Sequence, residues 1–130
     1  MLRYVFRYKF SILLAIMIAL LSLVPGNSIP GSSLFSIPYF DKFVHFSMYA
    51  VLIFVALIES RCTNNCYGNH LLLILGIFFL SGLIEILQAT VVASRAAEWF
   101  DLLANFAGLL SGYLAFRIIG SARIFSFLRS

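Results

Sequence analysis

The sequence predicts an all-α membrane protein: a four-transmembrane-helix bundle with a Pro/Gly-containing extracytoplasmic loop between helices 1 and 2. Three observations carry this. Hydrophobic residues fill 62% of the 130 positions and charged residues only 11%, well beyond the balance of an ordinary soluble domain. The apolar residues gather into four runs, Phe10 to Val24, Phe43 to Ile58, Leu71 to about Ala89 and Phe100 to Ile119. Most of these approach the roughly 20 residues that a helix needs to cross a bilayer. The runs are apolar on nearly every side, whereas a membrane barrel strand alternates polar and apolar at every second position. Helices about 5–24, 43–58, 71–89 and 100–119 then leave little of the chain for a soluble domain, so one transmembrane domain over residues 1–130 is expected.

The first helix reaches back to about residue 5 if Arg7 and Lys9 snorkel to the headgroups. Basic residues before an apolar run also suit a signal peptide. No Ala-x-Ala site follows, however, and removal would leave an odd number of spans, so a retained helix is expected. The connection from Pro25 to Tyr39 holds all three prolines together with Gly26 and Gly31, which rules out a continuous helix. Leu34, Phe35, Ile37, Tyr39 and Phe40 make this loop apolar, as befits an interfacial anchor or a cover over a site. The second helix, at 43–58, is short enough to need local bilayer thinning or a buried position. The polar connection from Glu59 to His70 contains Cys62 and Cys66. Without a companion pair, this reads as a loop bearing two thiols rather than a metal site.

Orientation follows from the nine basic residues. Arg3, Arg7, Lys9, Arg61, Arg117, Arg123 and Arg129 fall on one side of the alternating spans and only Lys42 and Arg95 on the other, which places both termini in the cytoplasm. Cys62 and Cys66 then stay reduced. The net charge of +4 is accounted for by this asymmetry, so the expected partner is the lipid bilayer and not a nucleic acid.

Against this background, three polar blocks stand out: Asp41, Lys42 and His45; Glu85 and Gln88; Arg95, Glu98, Asp101 and Asn105. Ionisable groups within spans are costly, usually face the bundle interior and mark functional sites. Alternating spans bring the start of the second helix, the end of the third and the start of the fourth to the same membrane face. Each block also forms a stripe. Asp101, Asn105, Gly108 and Gly112 lie within about 60° at about 100° per residue. The outer half of that stripe is polar, and its deeper half is a Gly-x-x-x-Gly suited to close helix packing. Asp41, His45 and Tyr49 follow an i, i+4, i+8 line, and Ser81, Glu85 and Gln88 share a face.

At these residues the chain resembles the VanZ-like family of small bacterial membrane proteins. The resemblance rests on Asp41-Lys42-x-x-His45 with Phe46 and Tyr49, on Glu85-x-x-Gln88, and on Arg95 through Asp101-x-x-x-Asn105-x-x-Gly108-x-x-x-Gly112. It implies a multi-pass protein of the bacterial cytoplasmic membrane, in a family named for a member linked to teicoplanin resistance.

The expected ligand-binding set is Asp41, Lys42, His45, Tyr49, Glu85, Gln88, Arg95, Asp101 and Asn105, at the extracytoplasmic face. A lipid-linked envelope intermediate or a lipoglycopeptide suits it. Lys42 and Arg95 would contact phosphate or carboxylate, while Gln88 and Asn105 read hydroxyls or amides. Carboxylates outnumber cations there, so an anionic ligand needs protonated carboxylates or a bridging cation. A membrane-embedded hydrolase or transferase is the alternative from another class, with His45 as general base and Asp41, Glu85 and Asp101 around it. The same set has the chemistry to hold a divalent metal, but no Gly-x-Ser-x-Gly or His-Glu-x-x-His is present, and neither a metal nor a cofactor is expected. A purely structural polar knot joining three helices is a third reading, and ion transport a fourth that would require an oligomer.

Overall fold

The computed structural model describes residues 1–24, 37, 39–61, 70–91 and 99–121. Among these residues every regular element is a helix: α1 (Leu2–Arg7), α2 (Lys9–Leu23), α3 (Phe40–Arg61), α4 (His70–Val91) and α5 (Trp99–Ser121). The loop expected between Pro25 and Tyr39 falls almost wholly outside the described residues, as do Cys62, Cys66, Arg95 and Glu98.

Three helices, α3, α4 and α5, are long and apolar enough to cross a membrane. The helix expected at 43–58 runs instead over the 22 residues of Phe40–Arg61, about 33 Å at about 1.5 Å per residue, so it needs no thinned bilayer. The apolar run underestimated it because both ends are charged. Asp41 sits in the first turn, where a carboxylate suits the helix dipole, and Glu59 near the last turn has a partner in another helix.

The first helix, expected unbroken from about residue 5 to 24, is interrupted at Tyr8 (φ −110°, ψ 31°) into α1 and the 15-residue α2. Tertiary contacts make the break. The N–H groups of Phe10 and Ser11, which lack partners within their own helix, donate to the two carboxylate oxygens of Glu59 at 2.9 and 3.0 Å. The Ser11 hydroxyl donates to the same carboxylate, and Arg7 donates to the Ser60 carbonyl at 3.2 Å. A negative group at the positive end of α2 is favourable twice over, as cap and as dipole partner. The end of α3 is thereby locked to the start of α2, and the two run antiparallel.

The α3–α5 pair is the tightest. A Cβ added to Gly108 would lie 2.3 Å from the Phe46 carbonyl oxygen, and one added to Gly112 would lie 2.3 Å from the Ala50 carbonyl oxygen and 2.5 Å from Ile53 Cγ2. Only hydrogen fits in those gaps. Because Gly108 meets Phe46 and Ala50 while Gly112 meets Ala50 and Ile53, the two helices run parallel. Buried Tyr49, Leu52, Ile53 and Leu57 of α3 pack with Leu109 and Phe116 of α5 and Ile18 of α2. Antiparallel to this pair, α4 sets His70 against Phe116 (ring centroids 5.8 Å apart) and Phe78 against Phe106 (5.4 Å). It is the least embedded of the three long helices, with 17% of its apolar window buried against 39% for α3. Its buried residues are Ser81, Ile84, Glu85 and Gln88, a single stripe that is mostly polar.

Candidate functional site

Helix direction decides where the polar side chains meet. With α3 and α5 parallel and α4 antiparallel to both, the first turns of α3 and α5 and the last turns of α4 share one end of the molecule. There α3 supplies Asp41, Lys42 and His45, α4 supplies Glu85 and Gln88, and α5 supplies Asp101 and Asn105. His45, Glu85, Gln88, Asp101 and Asn105 are all buried, Asn105 completely.

Lys42 joins two helices: its Nζ lies 3.4 Å from Asp101 Oδ1 on α5 and 3.5 Å from Asp41 Oδ2 on its own helix. The third helix is reached by His45, whose Nδ1 lies 3.9 Å from Glu85 Oε1, both side chains being 8% exposed. One ligand-type atom each from His45, Glu85 and Asp101 falls within 4.8 Å of the others. Asn105 lies on the α5 stripe between Asp101, which reaches Lys42, and Gly108, which touches Phe46, so it faces α3 at the level of His45. Among the described residues neither of its amide atoms has a hydrogen-bond partner, although it is 0% exposed.

Tyr49, one turn below His45, is 1% exposed and belongs to the apolar core. Gln88 donates to the carbonyl of Ser22 in the last turn of α2, thereby satisfying one of the helix-terminal carbonyls that lack an internal partner. The structure therefore gathers Asp41, Lys42, His45, Glu85, Asp101 and Asn105, puts Tyr49 beneath them and turns Gln88 toward α2. Arg95 lies outside the described residues. Glu59 carries a polar role that sequence reasoning missed, having assigned it to a connection. The signal was a carboxylate two residues before the end of α3, which alternating spans place at the same membrane face as the start of the first helix.

Electrostatically the described part of the cluster is acidic. With His45 neutral, the carboxylates of Asp41, Glu85 and Asp101 against Lys42 leave a net charge of −2. Such a charge in a low-dielectric setting favours a bound cation. On the outer side of α4, an apolar groove of about 650 Å³ runs from Leu72 and Leu75 past Phe79 and Leu83 to Ile86, and Leu102 of α5 closes one wall. It ends at the depth of the polar cluster, since Ile86 follows Glu85 and Leu102 follows Asp101.

A family model described as VanZ/LLP1 matches residues 1–120. No curated protein and no solved structure matches the chain.

Proposed function

The chain belongs to the VanZ/LLP1 family, and from that premise we propose that it is a multi-pass protein of a bacterial cytoplasmic membrane that binds an envelope amphiphile by its polar headgroup. The three apolar helices fit a membrane protein. The kinked α1–α2 unit is the fourth crossing in this reading, and the basic residues Arg3, Arg7 and Lys9 at its start support a cytoplasmic N-terminus. The C-terminus follows to the same side, and the polar cluster then lies at the extracytoplasmic face.

The observation that carries the binding role is the convergence of buried Glu85, Asp101 and Asn105 with Lys42 and His45 from three helices at one depth. Desolvating such groups costs more than apolar packing of equal volume, so stability alone does not account for them. A lipid-linked intermediate or a lipoglycopeptide has the matching halves: a polar headgroup for the cluster, with Lys42 as its cation, and an acyl or polyprenyl chain for the groove on α4 that ends at the same depth.

The test is equilibrium binding of a fluorescent polyprenyl diphosphate, and separately of teicoplanin, to the full chain in lipid nanodiscs. Lys42→Met and Asp101→Asn are each expected to weaken one of these probes at least tenfold. Equal affinity in the native chain and both variants would remove the pocket.

A further inference from the structure

We propose that His45, Glu85 and Asp101 form a binding site for a divalent transition-metal cation, with Asn105 as a supporting donor. The donors come from three helices, are buried, and offer one nitrogen and two carboxylate oxygens within 4.8 Å of one another. Around an ion bound at about 2.1 Å, tetrahedral ligand atoms stand roughly 3.4 Å apart, so the ligand atoms need to close by at most about 1.4 Å. The imidazole selects against Mg²⁺ and Ca²⁺, which take oxygen ligands, and in favour of Zn²⁺ or Mn²⁺. Three protein ligands leave a fourth position for water or an oxygen of a bound molecule, the open arrangement of non-structural metal sites.

Two independent observations point to the ion. Asn105 is fully buried on the stripe that faces His45, and its amide oxygen and nitrogen have no hydrogen-bond partner among the described residues. A buried amide in that condition is costly, and an ion or its bound water relieves it. The second is charge: a divalent cation brings the net −2 of Asp41, Lys42, Glu85 and Asp101 to zero. Lys42 does not compete for the place, because a carboxylate has two oxygens and Asp101 can turn one to the ammonium and the other to the ion. Beside the metal, Lys42 fixes the Asp101 carboxylate, as outer partners of metal ligands commonly do. The metal site deepens the headgroup reading, on which it rests only for the occupant of the fourth position: a diphosphate or carboxylate head would bind through the cation rather than against three carboxylates.

The experiment uses the full chain in detergent, stripped with chelator and titrated with Zn²⁺, Mn²⁺ and Mg²⁺. One Zn²⁺ or Mn²⁺ per chain is expected, with Mg²⁺ at least tenfold weaker. Glu85→Gln and Asp101→Asn should each lower the affinity at least tenfold, whereas Glu59→Gln, at the other end of the bundle, should not. Electron paramagnetic resonance of the Mn²⁺-loaded native chain needs no variant and is expected to show coupling to a histidine nitrogen. No bound ion, or a bound ion without nitrogen coupling, overturns the site. Polyprenyl diphosphate is then titrated with and without the metal. Amphiphile binding by chelated protein that takes up no ion overturns the metal site and spares the headgroup reading. One bound ion with no amphiphile binding upholds the metal site and sinks the headgroup reading.

Discussion

Lys42 on α3 holds Asp101 on α5 at 3.4 Å, with side chains only 19% and 11% exposed. This ion pair joins the polar ends of two helices that Gly108 and Gly112 bring together deeper in the bundle. Removing one member of so buried a pair leaves the other charged and unmatched. Lys42→Met should therefore lower stability by about 3–5 kcal/mol, with Lys42→Met/Asp101→Asn recovering most of the loss. Thermal unfolding in detergent, arranged as a double-mutant cycle, measures this. Additive losses would mean that the pair is not coupled.

Asn105 gives the opposite sign. With both amide atoms lacking a partner among the described residues, replacement by an apolar side chain of similar size relieves a desolvation cost. Asn105→Leu should raise the melting temperature of the ligand-free chain, by about 1 kcal/mol in stability, while weakening whatever the cluster binds. Loss of stability and of binding together would instead assign Asn105 to the framework.

The glycines divide cleanly. Gly108→Ala and Gly112→Ala push a methyl group into backbone carbonyls of α3 and should each cost about 1–3 kcal/mol. Gly76 has nothing within 4 Å of its added Cβ, so Gly76→Ala should be neutral or stabilise by about 0.5–1 kcal/mol. Comparing the three melting temperatures in one detergent checks both halves.

Glu59 caps a helix to which it is not joined in sequence. Glu59→Ala removes the acceptor for Phe10 N–H, Ser11 N–H and the Ser11 hydroxyl, and should cost about 1–2 kcal/mol while speeding hydrogen exchange at those two amides. Exchange that is unchanged at Phe10 and Ser11 would contradict the cap.

Much of the polar cluster was legible in the sequence because charges inside apolar runs are too costly to be incidental. Asp41, His45, Glu85, Asp101 and Asn105 also keep helical spacing within their own runs, so their faces follow from counting. What counting misses is any contact between helices that no local pattern encodes. Tyr8 carries none of the usual break signals, since the kink there is made by a carboxylate about fifty residues away in the chain. Gln88 keeps the stripe that counting gives it, but its amide donates to the Ser22 carbonyl of a helix that no local pattern names. The start of α3 was read too late because Asp41 and Lys42 interrupt the apolar run, whereas a helix end tolerates charge and a facing Asp101 welcomes it. Alternating spans bring His45, Glu85 and Asp101 to one membrane face, but their approach to within 4.8 Å depends on how three helices pack and has no linear signature.

The weak embedding of α4 bears on how anything reaches the cluster. Its apolar flank faces outward, and besides the ring contacts of His70 and Phe78 its inward grips are Ser81, Ile84, Glu85 and Gln88, while α3 and α5 are clasped backbone to backbone. A swing of α4 about its His70 end would part Glu85 from His45 while the glycine contacts of α5 with α3 stayed in place. Of the three long helices, α4 is thus the one whose displacement would disturb the least packing, and its outward flank is the side from which an acyl chain would approach Glu85.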